Sequence, residues 1–116
     1  MKSNPVKEKS FAFAVRSVRL GQFLMENKKE YIISKQIIRS GTSIGANIRE
    51  AQNAQSNADF VHKLSISQKE ADETLYWLEL LQETEYISDI EFQSLEKDII
   101  EIIKLLCTII KTAKSK

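Results

Sequence analysis

A chain of 116 residues with 42% apolar and 28% charged side chains is long enough for one hydrophobic core and too short for two. Its one cysteine, Cys107, excludes an internal disulfide and suits a reducing compartment. The formal net charge of +1 conceals a split: ten cations against four acids in residues 1–50, three against twelve in 51–101, and four against none in 102–116.

Three glycines, one proline and no alternating strand pattern predict an all-α chain, arranged as an antiparallel up-and-down four-helix bundle in a single domain. Asn4-Pro5 supplies a cap and a first-turn proline for a helix over about 5–27. Its inner face is expected at Phe11, Ala14, Val15, Val18, Gly21 and Met25, spaced by three and four. After a turn at Lys28-Lys29, a second helix is expected over about 30–53. Ser56, with Asp59 in the first turn, predicts a third helix over 57–83, with Val61, Leu64, Gln68, Ala71, Leu75 and Leu78 inward. Ser88-Asp89-Ile90-Glu91 is a capping-box sequence that opens a fourth, over about 89–112.

The second helix carries the most informative stretch. On a wheel of about 100° per residue, Ile37, Ile38, Gly41, Ile44, Gly45, Ile48 and Ala51 form one continuous arc, while Lys35, Arg39, Thr42, Ala46 and Arg49 share a sector roughly 80° wide. Each glycine inside a helix costs about 1 kcal/mol relative to alanine. Gly41 and Gly45 are therefore expected to admit the close backbone of a partner helix, with Ile44 and Ile48 packing beside them. A phosphate-cradling loop at Ser40–Asn47 is disfavoured, because the Walker spacing and a preceding strand are both missing.

The residues Ile38-Arg39-Ser40-Gly41-Thr42-Ser43-Ile44-Gly45-Ala46-Asn47-Ile48, with Glu50-Ala51, Asp59-Phe60, Lys63-Leu64, Lys69-Glu70-Ala71, Glu73-Thr74 and Tyr76-Trp77-Leu78, resemble those of the four-helix-bundle proteins encoded in 23S rRNA intervening sequences. The accessory variability proteins of retroelements belong to the same family. The resemblance runs from about Asn4 to Thr112. It implies a four-helix bundle assembled as a homopentamer, and, by way of the retroelement members, nucleic acid and a reverse transcriptase as partners. Many members carry alanine where this chain has Arg49, so a role for that side chain would be particular to a subgroup.

On the fourth helix, apolar residues cover an arc of roughly 220°, against the 100° or somewhat more that a peripheral bundle helix buries. The surplus predicts a second, intersubunit interface through Ile100, Ile103, Cys107 and Ile110.

Enzyme chemistry finds little support, and neither a cofactor nor a metal is expected. His62 is the one histidine, so a nucleophilic pair or triad would have to pass through it. Asp59 and His62 stand three apart like half of a di-iron element, whose other ligands are absent. His62 is expected at a polar helix edge, and Cys107 as a small core residue. Tyr76-Trp77, beside Asp72, Glu73 and Glu79, suits packing better than base stacking. The remaining candidate is the basic stripe of Lys35, Arg39 and Arg49, with Lys28 and Lys29 and, secondarily, Arg16 and Arg19. It would contact phosphates of RNA or DNA without reading base sequence. The competing expectation is an adaptor that docks a partner enzyme, its cations spent in salt bridges.

Overall fold

The computed structural model describes residues 3–116 as four helices: α1 (Pro5–Asn27), α2 (Ile33–Ala51), α3 (Asn57–Glu83) and α4 (Asp89–Lys114). They form an antiparallel up-and-down bundle in which each helix packs on the next and α4 closes more loosely on α1. Among the described residues no Cα of α1 comes within 8 Å of α3, nor one of α2 within 8 Å of α4, so each pair occupies diagonal corners.

Local chemistry sets three of the four starts. The Asn4 side chain accepts from the Lys7 amide at 3.2 Å, and Pro5 fills the first turn, where its missing N–H is no loss. Ser56 accepts from Asp59 N at 3.0 Å. At α4, Ser88 Oγ accepts from Glu91 N at 3.1 Å while Glu91 Oε1 accepts from Ser88 N at 3.0 Å, so two otherwise unpaired amides are satisfied reciprocally.

α2 begins later than the sequence suggests, and Glu30 is the reason. Lys29 turns the chain with φ 55°, and the Glu30 side chain then folds over the helix end. Its carboxylate accepts from Ile32 N (3.1 Å), Ile33 N (3.0 Å) and Ser34 N (2.7 Å), while Ser34 Oγ donates to the Glu30 carbonyl at 2.8 Å. Glu30 is therefore a cap in front of the helix, with 9% of its surface exposed.

The core is built from Phe13 and Leu24 of α1, Ile37, Ile44 and Ile48 of α2, Leu64, Leu78 and Leu81 of α3, and Ile99, Ile102 and Leu106 of α4. The inner face of α1 is not the one that its apolar spacing predicts. The buried residues are Val6, Ser10, Phe13, Ser17, Gly21 and Leu24, whereas Phe11 is 59% and Val15 is 38% exposed. The cause lies on α2. A Cβ added to Gly41 would stand 2.1 Å from Ser17 Oγ and 2.5 Å from Ser17 Cβ, and one on Gly45 would stand 3.3 Å from the Ser10 carbonyl oxygen. Conversely, a Cβ on Gly21 would strike the Ile38 side chain at 2.4 Å. The two backbones approach so closely that α1 must present its smallest residues, which rotates Phe11, Val15 and Val18 away from the core. The hydroxyls tolerate burial because each bonds within its own helix, Ser10 Oγ to Lys7 O at 3.1 Å and Ser17 Oγ to Phe13 O at 2.9 Å.

α2 meets α3 on its other flank through Ser67 Oγ donating to Ile44 O and Thr74 Oγ1 donating to Ser40 Oγ, both at 2.8 Å. Among the described residues no buried side-chain nitrogen or oxygen lacks a partner.

Two stability predictions follow from these contacts. Gly41→Ala gains about 1 kcal/mol of helix propensity but overpacks against Ser17 at about 1–3 kcal/mol, so urea unfolding should show a net loss. Gly45→Ala, facing a contact at 3.3 Å that a small shift relieves, should fall closer to neutral; the reverse order would exclude the seam as described. For Glu30, burial alone would raise the carboxyl, but the amides of Ile33, Ser34 and Ile32 outweigh it and hold the group below its ordinary value of 4.5. The cap's contribution is thus complete above that value and is lost as pH falls through the lower folded one. Glu30→Ala should cost about 1–2 kcal/mol at neutral pH. The stability gap between wild type and Glu30→Gln should narrow below pH 4.5, and a gap constant with pH would contradict the ionised cap.

Candidate nucleic-acid interface

The basic sector of α2 divides along its length-wise edges. On the edge toward α3, Arg39 is fully engaged: Nη1 pairs with Glu70 at 3.2 Å, Nη2 pairs with Glu73, and Nε donates to Gln36 Oε1 at 3.1 Å. Glu73 also accepts from Trp77 Nε1 at 2.9 Å, which fixes its carboxylate between α2 and α3. Arg49, beside α1, and Lys35, one turn before Arg39 on the outer face, are exposed and have no acidic partner among the described residues. Thr42 and Ala46 between them are too short to cover either. Paired Arg39 and open Lys35 and Arg49 thus share the outer face of α2, within a sector roughly 80° wide.

Arg49 does not stand alone. With Lys7 of α1 it flanks a cleft of about 340 Å³ over the α1–α2 seam, walled by Phe11, Ala14, Thr42 and Ala46. Glu50 also reaches this cleft, but its carboxylate is held by Lys63 of α3 at 3.0 Å. The cleft continues along α1 as a second apolar hollow formed by Phe11, Ala14, Val15 and Val18, with Arg19 on its rim. Lys7 and Arg19 likewise lack an acidic partner among the described residues. Apolar spacing alone places the residues of this face in the core. The available signal was Ser10, Ser17 and Gly21, whose spacings of seven and four lay small residues along one side of α1, opposite the glycines of α2.

The other basic candidates separate similarly. Lys28 is exposed and lies 6.0 Å from the centre of the Phe23 ring, at the outer limit of a cation–π contact. Lys29 donates to the Glu26 carbonyl at 3.1 Å. Arg16 is spent across the α1–α4 seam, on Asp98 at 2.6 Å and on Ser94. Lys9 pairs with Glu101 at 2.8 Å across the same seam, raising the lysine and lowering the glutamate, each through the hydrogen bond between them.

Gly41, Ile44 and Ile48 are buried, and Gly45 is half-buried against Ser10. On α4, Ile110 is buried in the subunit's own core, while Ile100 and Ile103 are half-buried and pack against it. Cys107 is not the small core residue expected: it is exposed on the subunit, its Sγ accepting from Gln68 Nε2 at 3.0 Å. Leu106 and Ile110 take the inward positions, one residue before it and three after, which turns the thiol outward. His62 lies exposed on α3. Tyr76 is 56% exposed and meets Trp77 edge-on, ring centres 5.0 Å apart. Among the described residues no three His, Cys, Asp or Glu side chains gather into a metal-binding group. Among the described residues no helix is long and apolar enough to cross a membrane.

Comparison with known proteins adds a family and a neighbour. The sequence profile of the 23S rRNA-intervening sequence protein matches residues 2–108. A crystal structure of a protein with unknown function, from the S23 ribosomal protein family of Bacteroides thetaiotaomicron VPI-5482, is 61% identical. The similarity covers 96% of this chain and 99% of that one, with a TM-score of 0.92. None of the curated proteins compared with it matches this chain.

Proposed function

Because this chain belongs to the family of 23S rRNA-intervening sequence proteins, and because the α1–α2 edge of its bundle leaves cations unpaired, we propose that it is a non-enzymatic, self-associating protein that binds nucleic acid, RNA foremost, through that edge. Lys35 and Arg49 make the central phosphate contacts, with Lys7, Arg19, Lys28 and Lys29 around them. Arg39 is left out of this set, since Glu70 and Glu73 already neutralise it. The observation that carries the reading is the contrast within one helix between Arg39, paired, and Lys35 and Arg49, open.

Helical rise places Lys35 and Arg49 roughly 21 Å apart, the reach of several phosphates. Two or three contacts per subunit make a weak binder. Association supplies the rest, because copies held together present their cations at high effective concentration to a single strand. The exposed apolar face of α1 supports association: Phe11 and Val15 in water forgo burial energy that a neighbouring subunit restores. The same cleft favours a second reading, an adaptor that seats a protein partner such as a reverse transcriptase. Apolar walls between Lys7 and Arg49 suit an acidic amphipathic segment at least as well as a phosphate chain.

Titrating a structured RNA at two salt concentrations separates the two readings. Wild type should bind more weakly as salt rises, and Lys35→Ala/Arg49→Ala should reduce both the affinity and the log–log salt slope, the slope by about 1–2. Arg39→Ala should leave the slope unchanged. Equal affinity of the wild type and the double variant at both salts would remove the nucleic-acid reading and leave the adaptor.

A further inference from the structure

Resting on the reading that copies of this chain associate, we infer that the apolar–basic face over the α1–α2 seam of one copy receives the outer face of α3 of the next. Lys7, Phe11, Ala14 and Val18 line up on α1 at spacings of four, three and four. Asp72, Tyr76, Glu79 and Glu83 line up on α3 at the same spacings, all four exposed. Each set spans roughly 16 Å of helix and a sector of about 60°.

The two faces are opposite in character. One presents Phe11 among Lys7, Arg49 and Arg19; the other presents Tyr76 among Asp72, Glu79 and Glu83. None of these charges has an ionic partner within the subunit among the described residues. Lys69 lies at the edge of the acidic face, a turn before Asp72, and is exposed. Glu50, the acid in the α1–α2 cleft, is already held by Lys63. A two-fold contact of the α1 face with itself would set Lys7, Arg49 and Arg19 against their own copies, and like charges in apposition are costly. Apposing it to α3 turns the same charges into complementary ones and covers both aromatic rings.

Diagonal placement gives this pairing a direction. α1 and α3 occupy opposite corners of the bundle, so the two faces point away from each other. A copy that receives α3 on one side therefore offers its own α3 on the other. Such a contact is heterologous and propagates until the rotation between copies closes it.

Two variants on the exposed faces test this with intact chains. One carries Phe11→Asp and Val15→Asp, which breaks only the α1 face. The other carries Asp72→Asn, Tyr76→Ala and Glu79→Gln, which breaks only the α3 face. Circular dichroism verifies that both remain helical, and sedimentation velocity at micromolar concentration reads the mass. Wild type is expected to be larger than a monomer and each variant alone a monomer. An equimolar mixture is expected to form a dimer and nothing larger, since one good interface remains and both outer ends are damaged. If the α3 variant keeps the wild-type mass while the α1 variant does not, the pairing is wrong but association stands. If both variants keep the wild-type mass, neither face is used and copies meet elsewhere. Two monomeric variants that fail to combine also overturn the pairing. A monomeric wild type overturns the association itself.

Discussion

The geometry of this bundle depends on how closely α1 and α2 approach. Gly41 faces Ser17, Gly45 faces Ser10 and Gly21 faces Ile38, at separations that would not admit a β-carbon on the glycine without movement of its neighbour. Glycine in a helix carries a propensity cost of about 1 kcal/mol, and the seam offsets it with dense backbone contact. Serine suits the facing positions because its hydroxyl turns back to its own helix, leaving no unsatisfied group between the two backbones. α2 uses the same device on its other flank, where the hydroxyls of Ser67, Ser40 and Thr74 tie it to α3. It is the helix with small residues on two sides, and the bundle is tightest around it.

One consequence is the direction in which α1 faces. A helix can bury one stripe, and the seam dictates that the stripe runs through Ser10, Ser17 and Gly21. Phe13 and Leu24 lie next to that stripe and enter the core, while Phe11 and Val15 rotate to the outside and Ala14 and Val18 stay half-buried. Their outward position follows from the tight packing of α2 rather than from a shortage of room inside.

This is also why the sequence was readable in some places and not in others. Caps are local: Asn4-Pro5, Ser56 and Ser88 with Glu91 act within a turn of the residues that they cap, so their geometry is visible in the spelling of the chain. The helical class and the bundle are legible for a similar reason, since periodicity belongs to each helix by itself. The face of α1 is not local. Hydrophobic spacing fits the Phe11 stripe and the Phe13 stripe alike, and only the glycines of a different helix decide between them. Glu30 misleads in another way, since a glutamate ahead of isoleucines reads as a first helical residue unless the positive φ of Lys29 is known. Cys107 was assigned inward from an apolar arc that proved wider than the part α4 buries. Within the basic stripe, sequence placed Lys35, Arg39 and Arg49 on one sector, but which of them an acid neutralises depends on where Glu70 and Glu73 of α3 fall across the seam.

The pattern of ion pairs then gives the subunit its electrical shape. Arg39 with Glu70 and Glu73, and Glu50 with Lys63, cross the α2–α3 seam; Lys9 with Glu101, and Arg16 with Asp98, cross the α1–α4 seam. Exposed pairs of this kind contribute only about 0–1 kcal/mol each to stability, so their larger effect is on which charges remain free. Among the described residues none crosses the α1–α2 seam. The cations at its rim, Lys7, Arg19, Lys35 and Arg49, therefore keep their field, while Asp72, Glu79 and Glu83 keep theirs at the diagonal corner. A chain with a formal net charge of +1 thus carries open cations along one edge and open acids along another. Steering by such a subunit depends on orientation: an anion approaching α1–α2 is attracted and one approaching α3 is repelled, within a screening length of about 8–10 Å. The glycine seam that fixes the fold is in this way also what keeps one edge of the subunit positive.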